Sequence, residues 1–389
     1  MRASKPKSVP LIVSLPKIDF WYWCRHFVDL SRECPYGCAY CNTQRRTLRK
    51  GGGCAPGNWP EGCNPHDESR RVETGALPEG GLRLLPGLRL EAGLPQEKEV
   101  IGLGLLSEPF RTGDDETGVL SSALRSLYDA GYPINIVTKS GLTSGISGEL
   151  EMLKRFARRG FIRVTFTILT TDESLSRELE GRSPPPAERF QALAALRREG
   201  IPAGVALTPV IPRVNDGDER IADLVDEAKR CGASWFLFSG FDPVRSFLQD
   251  PRWKQAEELH GEAEKLNAYY RGLKKTLVSL LVDANLPMRI PRITLNLFRQ
   301  RSSIRMVSEY LFNISYLYEL MERDVEMMRY RRAAHELNRN PVSLRSLLAD
   351  KKLGFVRGVN PEIERVIEEV LYTEKSSLYL SLRERVAGA

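Results

Sequence analysis

From Glu99 to Phe238 the chain alternates short apolar, β-branched runs with stretches whose apolar residues recur at helical spacing. No other feature limits the fold as strongly. Runs at Glu99–Leu106, Ile134–Thr138, Ile162–Thr167, Val205–Val210 and Trp235–Phe238 read as strands. Between them Gly118–Ala130, Gly148–Arg158, Ala187–Arg198 and Glu219–Cys231 read as helices, the third stopped by Gly200. A parallel crossover needs about a dozen residues, and these helices supply it. The expected class is α/β with a parallel sheet. A sixth strand is expected within Trp21–Asp29. Six strands suit a doubly wound sheet or an incomplete barrel, and fall short of the eight that close one.

The flanks differ in texture. Residues 1–30 read as an N-terminal leader weighted with Phe20, Trp21, Tyr22 and Trp23. Gly51 to Gly93 is rich in Gly and Pro and lacks periodicity, so it reads as an insertion, with one short strand expected at Leu82–Leu90. After Asp250 the strand pattern stops. Helical spacing marks Trp253–Val282, Ile304–Leu337, Pro361–Leu371 and Ser376–Val386, and Pro287 and Pro291 interrupt the series. The expected organisation is a leader (1–30), a core (31–245, with the insertion at about 51–93) and an α-helical C-terminal domain (246–389). A length of 389 residues accommodates two domains.

Composition narrows the function classes. Lys and Arg number 57 against 50 Asp and Glu, a net charge of +7 that admits a nucleic-acid partner without requiring one. Four His exclude a catalytic apparatus built on several histidines. No apolar stretch reaches the roughly 18–20 residues of a membrane helix. Pro10 and Pro16 break the apolar run that follows the basic start, and no small-residue cleavage site comes after it. A soluble, cytoplasmic protein is expected. Seven cysteines, an odd number, argue against a secreted disulfide scaffold.

Three of those cysteines, Cys34, Cys38 and Cys41, fall in the run CPYGCAYC. Thiols so close along the chain can wrap one face of a metal centre, and soft thiolates favour zinc or iron–sulfur. A structural zinc takes four ligands, so Cys24, Cys54 or Cys63 would have to complete a zinc knuckle. A [4Fe–4S] cluster on three thiolates leaves one iron without a protein ligand. That iron is open to the amine and carboxylate of an amino acid, as in S-adenosylmethionine (SAM).

The cysteine run, with Tyr40 directly before its last cysteine, resembles the signature of the radical SAM superfamily. Across about residues 30–245 the resemblance is to the spore photoproduct lyase-like branch. It is carried by GLGLLSEPF from Gly102, Thr138-Lys139-Ser140, LEGRSP from Leu179 with Arg189, and TPVIP from Thr208 with Asn215 and Asp216. The resemblance implies a partial (β/α)6 TIM-type barrel followed by the helical domain. It implies a [4Fe–4S] cluster on Cys34, Cys38 and Cys41, SAM as second cofactor, and a low-potential electron donor of the flavodoxin or ferredoxin type. The chemistry it implies is reductive cleavage of SAM to a 5′-deoxyadenosyl radical, which abstracts hydrogen from an unidentified substrate.

By the same resemblance Tyr40 belongs to the cofactor site. Ser107 and Glu108 take the methionyl amine of SAM, a carboxylate being a fit partner for an ammonium. Lys139 takes the SAM carboxylate, and Thr167 lies near the ribose. Glu180, Arg182 and Arg189 match a conserved-type pattern in which Gly181 replaces the first proline. They line the mouth of the site or brace the following helix as a buried ion pair. Pro209 and Pro212 shape the exit of the fifth strand. The branch's repair enzymes carry a hydrogen-donating cysteine where this chain has Leu105, so fold and SAM chemistry carry over and the substrate does not.

Two rivals remain at this level. One is the same chemistry directed at nucleic acid, in repair or base modification. The other is a zinc-stabilised nucleic-acid-binding protein without catalysis. Arginines interleaved with Tyr310, Tyr318 and Tyr330 fit base stacking, or equally core aromatics beneath a solvated arginine face. Cys54, Cys63 and His66 offer an auxiliary metal site or two cysteines steadying a loop, and Cys231 is expected in the core.

Overall fold

The computed structural model describes residues 11–19, 21–30, 34–41, 99–105, 107–110, 118–240, 263–293, 303–321, 323–338 and 344–387. The Gly/Pro-rich insertion, its expected strand, Cys54, Cys63 and His66 lie outside them. The chain divides into two compact units, Met1–Pro95 with Glu99–Ile293, and Gln96–Lys98 with Thr294–Ala389.

The first unit is built on one seven-stranded sheet whose spatial order follows the chain. β1 (Leu11–Asp19) pairs antiparallel with β2 (Cys24–Asp29). From β2 onward every pairing is parallel, through β3 (Ile101–Leu103), β4 (Ile134–Thr138), β5 (Ile162–Thr167), β6 (Ala203–Val210) and β7 (Phe236–Gly240). A doubly wound sheet reverses its order at a switch point. Here the order never reverses, and right-handed crossovers then put successive helices on one face. The result is the open wall of a partial (β/α)6 barrel.

Among the described residues, the helices over that wall include α1 (Val119–Ala130), α2 (Ser147–Arg158), α3 (Glu173–Glu180), α4 (Pro186–Arg198) and α5 (Asp218–Arg230). Alternate strand residues such as Ile134, Ile136, Ile162, Val164, Ala203 and Val205 meet Leu124 and Leu127 of α1, Leu153 and Phe156 of α2 and their like in one continuous core. Each fully buried Leu, Ile or Phe contributes about 1.5–3 kcal/mol, so this layer dominates the fold's stability.

The opposite face carries the other parity. Register aligns Phe27, Gly102, Asn135 and Arg163 across β2 to β5, and Thr165 with Gly204. The buried Trp235 indole donates to Thr165 Oγ1 at 3.2 Å, and its ring lies where a Cβ on Gly204 would come within 2.5 Å. The segment around Pro287 and Pro291 closes the N-terminal end of this wall. Trp23 Nε1 donates to the Ile290 carbonyl (3.0 Å), Arg163 Nε to that of Pro291 (2.9 Å), and Phe236 N–H to that of Pro287 (2.8 Å). The C-terminal strand ends are left for the site.

Three expectations change. Leu11–Asp19 and Cys24–Asp29, expected within a leader, form β1 and β2, at the sheet's edge and within it. Pro16 is tolerated because it lies on an edge strand, at a register shift between Ser14 and Asp19. The first unit runs past residue 245 to Ile293 and includes α6 (Ala263–Asp283), whose Leu277 and Leu281 enter the barrel's core. β3 is shorter than Glu99–Leu106, because the chain turns at Gly104.

The second unit is helical, with α7 (Ser303–Leu320), α8 (Asp324–Asn338), α9 (Leu344–Ala349), α10 (Pro361–Thr373) and α11 (Ser377–Ala387). Tyr310, Tyr318 and Tyr330 are buried core residues. Tyr330 donates to Glu362 Oε1 (2.8 Å), and Arg331 pairs with Glu319 (2.8 Å). The core reading therefore holds for the three tyrosines, whereas Arg331 is buried in an ion pair and is not part of a solvated face. Among the described residues no helix is long and apolar enough to cross a membrane.

Candidate functional site

Gly104 starts the site. Its φ is +83°, and a Cβ there would lie 1.8 Å from the Val137 carbonyl oxygen, so only glycine fits. The turn it makes carries Ser107 and Glu108 onto the C-terminal end of β4. The Glu108 carboxylate is buried and bridges the two strand ends. Its Oε1 accepts from the Thr138 hydroxyl (2.5 Å) and the Phe110 N–H (3.2 Å), and its Oε2 from the Lys139 N–H (2.9 Å). A carboxylate offers about four acceptor positions, so one remains for a further donor. Burial raises the Glu108 carboxyl above its ordinary value, opposed by these three donors and the Lys139 charge.

The cysteine loop follows β2 and docks on the end of α3. Ala39 N–H donates to the Leu179 carbonyl and Arg182 N–H to that of Tyr36, both at 2.8 Å. Gly181, with φ +58°, lets the loop approach: a Cβ would come within 2.5 Å of the Tyr36 oxygen. Asp172 caps the N-terminus of α3 by accepting from the Leu175 N–H at 3.1 Å, and so fixes where that helix begins.

Beneath the loop lies a buried charge cluster. Glu180 and Arg189 are fully buried and form an ion pair at 2.5 Å. Arg189 also donates to the Pro184 carbonyl (2.8 Å), the Thr167 carbonyl (2.9 Å) and Ser183 Oγ (2.6 Å). Tyr40 donates its hydroxyl to Glu180 Oε1 (2.6 Å), and Lys139 Nζ lies 3.8 Å from the same oxygen. Burial would raise the Glu180 carboxyl, but Arg189, Lys139 and the Tyr40 hydroxyl outweigh it and hold it below the ordinary value. For Lys139 burial works toward a lower value, and the charges of Cys38 and Glu180 reverse the balance and raise it.

Cys34, Cys38 and Cys41 are not in disulfides, and each is partly exposed. Burial pushes the Cys38 thiol up to about 12; Lys139 pulls it down, while Glu180, Cys41 and Cys34 push it further up. Burial also raises Cys34, against the Tyr36 and Glu108 N–H groups and Lys139. Among the described residues no group of three or more His, Cys, Asp or Glu converges on a single metal ion. Cys24 packs with Phe27, Val100 and Ile293 at the far end of β2, about 16 Å of strand from the loop, so it does not complete a knuckle. Three soft donors in one loop, facing an ammonium, suit a cluster that gives each thiolate its own iron.

The structure thus brings together Cys34, Cys38, Cys41, Tyr40, Glu108 and Lys139. Ser107 is buried beside Glu108. Thr167 is buried at the end of β5, on the parity of Thr165. Tyr40's hydroxyl is engaged by Glu180. Asn215 pins the exit of β6: its Oδ1 accepts from the Ile211 N–H (2.7 Å), and its Nδ2 donates to the Pro209 (3.1 Å) and Leu169 (3.3 Å) carbonyls. Leu105 packs against the Cys24 and Phe27 cluster. Cys231 is buried at the end of α5, 3.6 Å from Glu227 Oε1. Sequence reasoning missed the tie between the loop and Glu180. Its readable signal was an acid and an arginine nine residues apart around a glycine.

No curated protein matches the chain. Solved structures similar to it include a tyrosine-to-phenylalanine variant of spore photoproduct lyase, at 16% identity and a TM-score of 0.39, covering 50% of this chain and 61% of that one. Spore photoproduct lyase complexed with dinucleoside spore photoproduct is similar at 17% identity and a TM-score of 0.33, covering 53% and 52%. Streptococcus suis SuiB bound to S-adenosylmethionine is similar at 18% identity and a TM-score of 0.30, covering 38% and 30%. The chain spans less than two thirds of each. The family model of the Radical SAM superfamily matches residues 106–225, from the end of β3 into α5. The cysteine run lies upstream of that span, and with both together the chain resembles the radical SAM superfamily.

Proposed function

We propose that the chain is a radical SAM enzyme acting on an unidentified substrate. The observation that carries this reading is the meeting of three cysteines, none in a disulfide, with Glu108 and Lys139 at the C-terminal strand ends, where ligands of α/β sheets gather. Cys34, Cys38 and Cys41 would hold a [4Fe–4S] cluster. When bound, cluster and SAM supply a 5′-deoxyadenosyl radical and methionine after one-electron reduction, and the radical takes hydrogen from the substrate.

The chain's own residues bind and orient. The free acceptor position of Glu108, with Ser107, receives the SAM amine; Lys139 receives its carboxylate; Thr167 faces the ribose. The electron comes from a low-potential donor of the flavodoxin or ferredoxin type, and the protein works in the cytoplasm. Leu105 offers no thiol, so the reaction does not end by hydrogen return from that position. Anaerobic reconstitution with iron and sulfide, then assay of 5′-deoxyadenosine, tests the proposal. Cys38→Ala is expected to abolish both iron retention and product. Full product from that variant would refute the ligand assignment.

A further inference from the structure

We propose that Glu180 is a positioning residue that docks the cysteine loop onto the barrel before any metal arrives. This rests on the reading above for its purpose, though not for its test. Four contacts join the loop to one turn of chain: Ala39 to Leu179 and Arg182 to Tyr36 through the backbone, Tyr40 to Glu180 Oε1 at 2.6 Å, and the Cys38 thiol toward the Glu180 carbonyl at 4.0 Å. Three of the four fall on Glu180 or its immediate neighbours. The carboxylate itself cannot move freely, because Arg189 holds Oε2 at 2.5 Å and Ser176 donates to the same oxygen at 3.2 Å.

Charge bookkeeping supports the assignment. Arg189 alone neutralises Glu180, and Lys139 adds a second positive charge 3.8 Å from Oε1 and 5.7 Å from the centre of the Tyr40 ring. Lys139 is answered in turn by Glu180 and Glu108, and it faces the thiols of Cys38 and Cys34. A buried cation is retained only where an anion answers it. Glu180 therefore does two things with one oxygen. It takes the Tyr40 hydroxyl, which sets the loop, and it holds the Lys139 ammonium against that loop.

The test is alkylation of the full chain, freed of metal, by iodoacetamide, with each cysteine followed by mass spectrometry. Tyr40→Phe leaves the Glu180–Arg189 pair intact, and Glu180→Ala removes the acceptor altogether. Both are expected to speed alkylation of Cys34, Cys38 and Cys41 about tenfold, the effect of one lost buried hydrogen bond to a charged group. Cys231, distant along the chain on α5, is expected to keep its rate and so reports any global opening. Glu180→Gln keeps an acceptor for Tyr40 and is expected to restore the slow loop rate, which a merely structural loss would not do. Unchanged loop rates in Tyr40→Phe, or equal acceleration in Glu180→Gln and Glu180→Ala, would overturn the proposal. Failure of the parent chain to make deoxyadenosine would instead refute the catalytic reading and leave the docking result standing.

Discussion

Glu108 and Glu180 are both buried carboxylates in one site, and their surroundings act in opposite directions. Burial raises Glu108, whereas Arg189 and Lys139 overcome burial and lower Glu180. The linkage follows from sign. The stability that Glu180 contributes is present above its ordinary value of 4.5 and is lost as pH falls through its lower folded value. Glu108 behaves inversely: its ionised form costs stability near neutrality, and that cost is relieved as pH falls through its raised folded value. A melting-temperature series against pH should therefore show a steep acid loss below about 4.5 in the parent chain, flattened in Glu180→Gln. Glu108→Gln should leave that acid limb in place. It should also raise the SAM concentration for half-maximal deoxyadenosine formation about tenfold or more, since hydrogen bonds to charged groups contribute roughly 1.5–3 kcal/mol. An unchanged SAM dependence would remove Glu108 from the amine site.

The elements show which local signals were readable. The parallel strands were legible because short apolar runs of four to eight residues stand between helical stretches with clear glycine stops. β1 was not, since Pro10 and Pro16 break the apolar run and hide the strand pattern; only the pairing with β2 shows why Pro16 is harmless. α3 was missed because eight residues, ESLSRELE, hold only Leu175 and Leu179 as apolar markers. Its one sequence signal was Asp172 as cap. Asp172→Ala should cost about 1 kcal/mol in chemical denaturation, the usual value for a lost N-cap. Gly181→Ala should act more locally. A left-handed φ of 58° and a Cβ within 2.5 Å of the Tyr36 oxygen force the cysteine loop outward. Iron retention should fall in that variant while far-ultraviolet dichroism stays at the parent level, and intact retention would show that the loop can dock elsewhere.

At the scale of the molecule, the sequence supplied strand and helix identity but left two architectures open. Monotonic strand order resolves them, and it depends on long-range pairing that no local pattern encodes. The unit boundary was misplaced for the same reason. Pro287 and Pro291 look like a break between helices, yet the carbonyls of Pro287, Ile290 and Pro291 accept bonds from Phe236 of β7, Trp23 just before β2 and Arg163 of β5. The three cysteines were readable from their spacing, whereas Glu108 and Lys139 entered through the family resemblance alone. The Glu180–Arg189 pair was readable as one of two alternatives, but its tie to Tyr40 was not, because no local spacing relates residues 140 positions apart. In the second unit Tyr330 spends its hydroxyl on Glu362. Tyr330→Phe should therefore lower stability by about 1 kcal/mol and leave deoxyadenosine formation unchanged, as a neutral-scale hydrogen-bond loss requires. A loss of product with stability intact would assign that unit a part in the chemistry.

The central claim is that this barrel end cleaves SAM reductively. The most direct measurement is 5′-deoxyadenosine formed by the anaerobically reconstituted, dithionite-reduced chain in the presence of SAM, with Cys38→Ala treated identically. The account predicts product that depends on reductant and cysteine, together with iron and sulfide retained by the parent chain alone. Tightly bound zinc, no sulfide and no deoxyadenosine from the parent chain would contradict it.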